Sequence, residues 1–224
     1  MKKTKFFALF IFLFLFHSAF ALFSSSSADS KDPQAIKNIN PQILKLALNA
    51  YHCVVQKGMI KNPLLTIVDF TRPSIEKRMW VIDPAKQISL YELHVSHGVN
   101  SGYLIPSHFS NDPSSLESSL GAYLTSTTYD GHHGYSLVLI GLEKGINSNA
   151  EKRHIILHSA WYVTPGFIHQ NDSLGRSWGC FALNPSLTHE VIDTLKGGSL
   201  LFAYGSPEDT DSYIQRCEFS IPSH

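Results

Sequence analysis

The sequence predicts a mainly β domain with a few helices, an α+β fold built on a closed or rolled sheet. Three observations carry that reading. From Leu64 to Tyr204, short apolar and β-branched segments recur between turn residues, as strands do. Only two stretches show apolar residues at helical spacing. Strands and helices do not alternate, so a βαβ architecture is excluded.

The elements follow in order. Lys2, Lys3 and Lys5, then the unbroken apolar run Phe6–Phe16, then Ala19-Phe20-Ala21, form the three parts of a secretory signal peptide. The eleven residues of the run are too few for the roughly 20 that span a bilayer. Cleavage is expected after Ala21, with residues 22–39, Ser-rich at Ser24–Ser27, as a flexible linker. Asn40-Pro41 reads as an N-cap followed by Pro at the first helical position. Ile43, Leu44, Ala47, Leu48, Tyr51, Val54 and Val55 then mark one amphipathic helix over 40–58, ended by Gly58 and packed on the domain. Strands are predicted at 64–70, 78–83 and 88–95, the last two joined as a hairpin through Pro84–Gln87. Three more fall at 121–128, 135–141 and 154–159. Asn184-Pro185 opens a short helix to Leu195, and 199–204 returns as a strand. The main domain is therefore placed at 59–206, with a C-terminal tail at 207–224.

Charge narrows the function classes. The whole chain has 18 basic and 18 acidic residues; loss of Lys2, Lys3 and Lys5 with the leader leaves 15 against 18. A mildly acidic exported domain without a basic patch argues against nucleic-acid binding. Export also places the three cysteines in an oxidising compartment. If Cys180 is a nucleophile, Cys53 and Cys217 either bridge or remain separate thiols.

Cys180 lies in Gly175-Arg176-Ser177-Trp178-Gly179-Cys180-Phe181, 22 positions after His158 of Ile156-Leu157-His158-Ser159. A thiol needs a nearby base to become thiolate, and a Gly-punctuated loop lets backbone amides approach a reacting carbonyl. The bland alternative is a small core thiol and a satisfied histidine. His94-Val95-Ser96-His97 and His132-His133 are the best candidate metal clusters, but on strands i and i+3 diverge and no helical zinc motif is present. No metal or cofactor is expected. The loop 107–120, with serines at 114, 115, 118 and 119, reads either as a lid or as a soluble connection.

These motifs resemble the L,D-transpeptidases of bacterial cell walls (YkuD-type), whose pattern is a His, a spacer, then Ser/Thr-His-Gly-Cys. The chain departs from it at Trp178, where a second His is usual, and at Ala182, where Asn or Arg is usual. Gly175–Leu183 is more similar to the murein L,D-transpeptidase catalytic-domain branch, which runs Gly-Arg-Ser-Trp-Gly-Cys-Pro-Ala-Leu, with Phe181 replacing Pro. Phe109-Ser110-Asn111, Gly131–Leu137, Gly141-Leu142-Glu143 and Gly145-Ile146-Asn147 also match that branch.

The resemblance implies an L,D-transpeptidase-like β-sandwich or rolled sheet acting in the periplasm or cell envelope. Cys180 would be the nucleophile and His158 its base, with Ser159 orienting the His. Gly179 and Cys180 would supply oxyanion-hole amides. Trp178, Ser177, Arg176 and His133 would contact substrate, although Trp178 reads equally as core and Arg176 as surface. The implied substrate is a peptidoglycan stem peptide, cut with release of D-alanine and resolved by an amine or by water. No nucleic acid, no membrane beyond the leader and no second subunit are implied. The pairing with His158 predicts that Cys180 is partly thiolate near neutral pH. An L,D-carboxypeptidase-type hydrolase, a silent peptidoglycan-binding module and a cysteine peptidase of ordinary proteins are the competing readings.

Overall fold

The computed structural model describes residues 29–205 and Phe219. The expected leader at 1–21, most of the tail and Cys217 lie outside the described residues. In chain order the elements are β1 (Gln34–Ala35), α1 (Pro41–Gln56), β2 (Leu65–Asp69), β3 (Met79–Asp83), β4 (Ile88–Leu93), β5 (Gly121–Gly131), β6 (Gly134–Gly141), β7 (Ile156–Ser159), α2 (Pro165–Asn171), β8 (Phe181–Leu183), α3 (Pro185–Leu195) and β9 (Leu200–Tyr204).

The strands form one sheet in the order β1-β4-β3-β2-β9-β5-β6-β7-β8. Its parallel pairs are β2–β9 and β7–β8; the other ladders are antiparallel. The sheet rolls. The chain leaving β4 reaches the opposite edge, where Ser96 N–H donates to Ala182 O at 2.9 Å and Ser177 N–H to His97 O at 2.9 Å. Of the two expected forms, the rolled sheet is the one adopted. Strand alternation sends Val68, Val81, Leu93, Leu157 and Phe181 to one apolar cluster, which also takes Val191, Ile192 and Leu195 of α3. The other face carries Ile67, Trp80, Ile82 and Phe202 and is covered by Ile43, Ala47 and Val54 of α1. Because both its faces are covered, β2 is buried at all five positions, the polar Thr66 and Asp69 included.

The helix caps behave as the sequence predicts: the Asn40 and Asn184 side chains accept from the amides of Gln42 and Ser186 at 2.9 and 3.1 Å. Two short elements are additions. α2 buries none of its residues, so it carries no apolar periodicity to detect. β8 is three residues between Gly179 and Asn184-Pro185.

One expectation needs correction. From Asp29 onward the stretch assigned to a linker is docked, because β4 would otherwise present unpaired backbone groups at a sheet edge. Ser30 and Glu92 exchange two backbone hydrogen bonds and β1 pairs with β4. The Asp29 carboxylate accepts from His94 N–H at 2.7 Å and stands 2.8 Å from its Nδ1. Cys53, on α1, is disulfide-bonded.

The segments Gly141-Leu142-Glu143 and Gly145-Ile146-Asn147 follow β6, and their Leu142, Glu143 and Asn147 are buried beside the start of β5. Asn147 Oδ1 accepts from Glu143 N–H, and its Nδ2 donates to Leu120 O and Ala122 O. Glu143 accepts from Ala122 N–H through Oε1, while its Oε2 has no hydrogen-bond partner among the described residues. Burial raises its pKa to about 7, against the Ala122 amide, which lowers it. The folded state therefore holds the proton that the unfolded chain gives up, and stability falls as pH rises from about 4.5 to about 7. Between pH 4.5 and 7.5 the stability of Glu143→Gln should gain on the parent by about 3 kcal/mol, read from paired thermal melts. A constant difference across that range would show that the fold leaves the pKa of Glu143 unshifted.

Candidate active site

The site is built by the parallel pairing of β7 and β8. Leu157 lies beside Phe181, His158 beside Ala182 and Ser159 beside Leu183. One residue further back, this register sets Cys180 beside Ile156. Side chains alternate along a strand, so Leu157, Phe181 and Leu183 enter the core while Ile156, His158, Cys180 and Ala182 share the other face. The nucleophile candidate and the base candidate are thus diagonal neighbours on adjacent strands.

The turn before Cys180 is set by Gly179, whose φ is +116°; a Cβ there would stand 2.6 Å from Glu117 O. Ser177 Oγ accepts from Gly179 N–H at 3.1 Å and donates to Cys180 O at 2.7 Å, so it folds the loop upon itself. His158 is buried, and its Nδ1 lies 2.9 Å from Ser159 O. A carbonyl oxygen only accepts, so the neutral ring carries its hydrogen on Nδ1 and its lone pair on Nε2. The ring of His133, from the β5–β6 turn, stacks on His158 at 4.2 Å between centroids.

Electrostatics overturn one expectation. Burial pushes His158 down to about 4, opposed by the Ser159 carbonyl and assisted by His133. Burial pushes the Cys180 thiol up to about 11, opposed by the Ile156 amide and by Arg153. Although Cys180 as a residue is only half-buried, its sulfur is desolvated. The resting pair is a thiol and a neutral imidazole, not a thiolate. The Sγ–H donates to His154 O at 3.4 Å rather than to His158.

The family of L,D-transpeptidase catalytic domains matches residues 35–204, most of the chain. The chain belongs to that family. No curated protein matches it. Among solved structures it is similar to an L,D-transpeptidase from Stackebrandtia nassauensis, with 18% identity over 72% of this chain and 67% of that one and a TM-score of 0.40. For an L,D-transpeptidase from Mycobacterium smegmatis the values are 12%, 64%, 59% and 0.37. For the helical cell shape determining protein Pgp2 of Campylobacter jejuni they are 9%, 75%, 59% and 0.43. The chain spans about three fifths of the length of the latter two.

Within this L,D-transpeptidase domain the sequence-predicted residues divide. Trp178, 76% exposed, is not core. Arg176 is exposed, with its guanidinium 5.3 Å from the Tyr103 ring centroid and Nη1 donating to Gly102 O at 3.3 Å. It borders a cavity of about 280 Å³ shared with Val99, Phe167, Asn171 and Ser173. Two predictions are corrected. Ser177 is buried and spends its hydroxyl inside the loop, so it does not face substrate. The Gly179 amide is likewise turned inward to Ser177 Oγ rather than toward an oxyanion. Ser159 contacts the His158 ring through its backbone carbonyl.

The loop 107–120 is anchored at its C-terminal end. Ser118 and Ser119 are fully buried, and Ser118 Oγ accepts from Gly98 N–H and donates to Gly179 O at 3.2 Å. The nitrogens of His94 contact Asp29 and Ile75 O, and those of His97 contact Arg78 and Gly102 O. Sequence reasoning missed Tyr162, whose ring packs where a Cβ on Gly175 would fall and whose phenol is raised to about 12 by burial and by Cys180. It missed Arg153 as well. Neither stands in a motif; only their position in the fold reveals them.

Proposed function

We propose that this domain is a cell-wall cysteine acyltransferase acting on peptidoglycan stem peptides. The observation that carries this reading is the Nδ1 bond from His158 to Ser159 O, which leaves Nε2 as the lone-pair nitrogen of a ring on the strand face shared with Cys180. As Cys180 Sγ attacks the carbonyl between the third residue of a stem, a diamino acid, and D-alanine, Nε2 takes the thiol proton. The tetrahedral oxyanion is met by the Cys180 amide. Collapse breaks the C–N bond, the imidazolium protonates the departing amine, and D-alanine leaves a thioester on Cys180. A neighbouring stem amine then attacks, gives its proton to His158 and releases the thiol.

The surroundings suit such a substrate. Arg176, fixed by Tyr103 beside the small cavity, offers a planar fork to a stem carboxylate. Trp178 offers an exposed ring beside the nucleophile, and His133 screens the base. In this reading the chain is exported to the periplasm or cell envelope with loss of residues 1–21. Residues 59–206 act as the catalytic domain, as a monomer and without a cofactor.

Mass spectrometry of tetrapeptide muropeptides incubated with the purified protein tests the reading. A cross-linked dimer with free D-alanine is expected. Trimmed tripeptide alone would convert the assignment to an L,D-carboxypeptidase-type hydrolase. Neither product nor thioester adduct would overturn the enzyme reading in favour of a wall-binding module.

Trp178 gives a second test. Its exposure means that Trp178→Ala should leave stability within about 0.5 kcal/mol, as surface changes do, while KM rises about tenfold through loss of an aromatic contact worth about 1 kcal/mol or more. A large drop in melting temperature, or unchanged KM, would remove Trp178 from the substrate site.

A further inference from the structure

We propose that Arg153 is a positioning residue for the nucleophile: its guanidinium clasps the loop behind Cys180 and presents to it the positive charge that favours a developing thiolate. Arg153 lies in the turn before β7. Its Nη1 donates to Ser110 O and to Ser119 Oγ at 2.6 Å, and its Nη2 to Ser115 Oγ at 3.0 Å and Glu117 O at 2.6 Å. All four acceptors are uncharged, so the clasp fixes the guanidinium without neutralising it.

The same nitrogen faces the nucleophile loop. Nη2 lies 3.4 Å from where a Cβ on Gly179 would stand, one residue before Cys180. The next residue, His154, has φ +54° and turns its carbonyl onto the sulfur at 3.4 Å. One turn therefore carries both the acceptor that parks the thiol proton and the charge that favours its loss.

Among the described residues, the groups facing Cys180 are few. β7 supplies the Ile156 amide and neutral His158, the loop after β7 supplies Tyr162, and the turn before it supplies Arg153. Glu117 and Asp112 act on Arg153 and are not among the groups that act on the sulfur. Arg153 is therefore the cation among them. The proton itself moves from Sγ to His158 Nε2, and Arg153 exchanges none.

The inference rests on Cys180 being the nucleophile only for its catalytic consequence; alkylation reads the charge without any muropeptide chemistry. The probes are neutral iodoacetamide and anionic iodoacetate, applied to the purified protein at pH 8. Arg153→Gln should slow iodoacetamide about tenfold, one pKa unit of lost thiolate, and lower the iodoacetate-to-iodoacetamide rate ratio about threefold or more. Arg153→Lys keeps the charge but not the four hydrogen bonds, so both readouts should fall clearly less than in Arg153→Gln. The double variant Ser115→Ala/Ser119→Ala removes two of the four bonds and keeps the charge, so it should stay within about twofold.

Unchanged rates in Arg153→Gln would overturn the proposal. So would an equal fall in the lysine or serine variants, which would leave Arg153 a structural residue. Should Arg153→Gln fail to fold by circular dichroism, the parent decides by comparison with free cysteine under the same conditions. Its iodoacetate-to-iodoacetamide rate ratio should exceed that of free cysteine, and an equal or lower ratio would refute the charge.

Discussion

Cys180→Ser is expected to abolish acyl-enzyme formation and to lower muropeptide turnover by about a thousandfold or more, the scale on which removal of a covalent nucleophile acts. The oxygen is smaller and less nucleophilic, and a neutral imidazole with a pKa near 4 is too weak a base to ionise a serine hydroxyl. The fold should barely register the change. Cys180 is half-buried and outside the three apolar clusters, so the melting temperature should move by a few degrees at most. Intact mass after incubation with a carbapenem, an acyl donor that resembles the stem end, should show one adduct on the parent and none on the variant. An adduct persisting on Cys180→Ser would move the nucleophile elsewhere.

His158→Ala should lower kcat/KM by about a hundredfold to ten-thousandfold, the usual worth of a positioned general base. Its pH signature is more specific. The base works only when neutral, and burial holds its pKa at about 4, so activity should be lost as pH falls through about 4. The thiol remains protonated up to about 11, so kcat/KM should stay flat across the neutral range instead of rising near 8. A limb between pH 6 and 7, the range of an unburied imidazole, would show that His158 is solvated or is not the base. In the same direction, a His that prefers to be neutral in the fold withdraws stability as pH falls from about 6.5 toward about 4. His158→Ala should lack that share of the acid sensitivity.

Much of the fold is legible in the chain because its signals are local. Asn40-Pro41 and Asn184-Pro185 cap helices with their own side chains. The hairpin through Pro84–Gln87 closes between adjacent strands. α2 and β8 escape because one buries nothing and the other is three residues long. The docking of Asp29 escapes because it answers a need of β4, some sixty residues away, that no window around Asp29 contains. The matched segments around Phe109-Ser110-Asn111 and Gly145-Ile146-Asn147 are visible as motifs, yet their roles are not. Asn111 holds Asn149 and Asn147 holds Glu143, so both serve the scaffold.

By itself, the sequence determined the mainly β class, the two capped helices and the candidate pair Cys180 and His158, because strand alternation, capping and the Gly-Cys run are written within a few residues. Only the tertiary structure decided the state of that pair and its surroundings. Burial sets the charge of a thiol and an imidazole, and burial is a property of every chain segment packed around them. That is why an expected thiolate is a neutral thiol here, why Ser177 and Gly179 turn inward, and why Arg153, bonded to residues 34 to 43 positions away, joins the site without any motif to announce it.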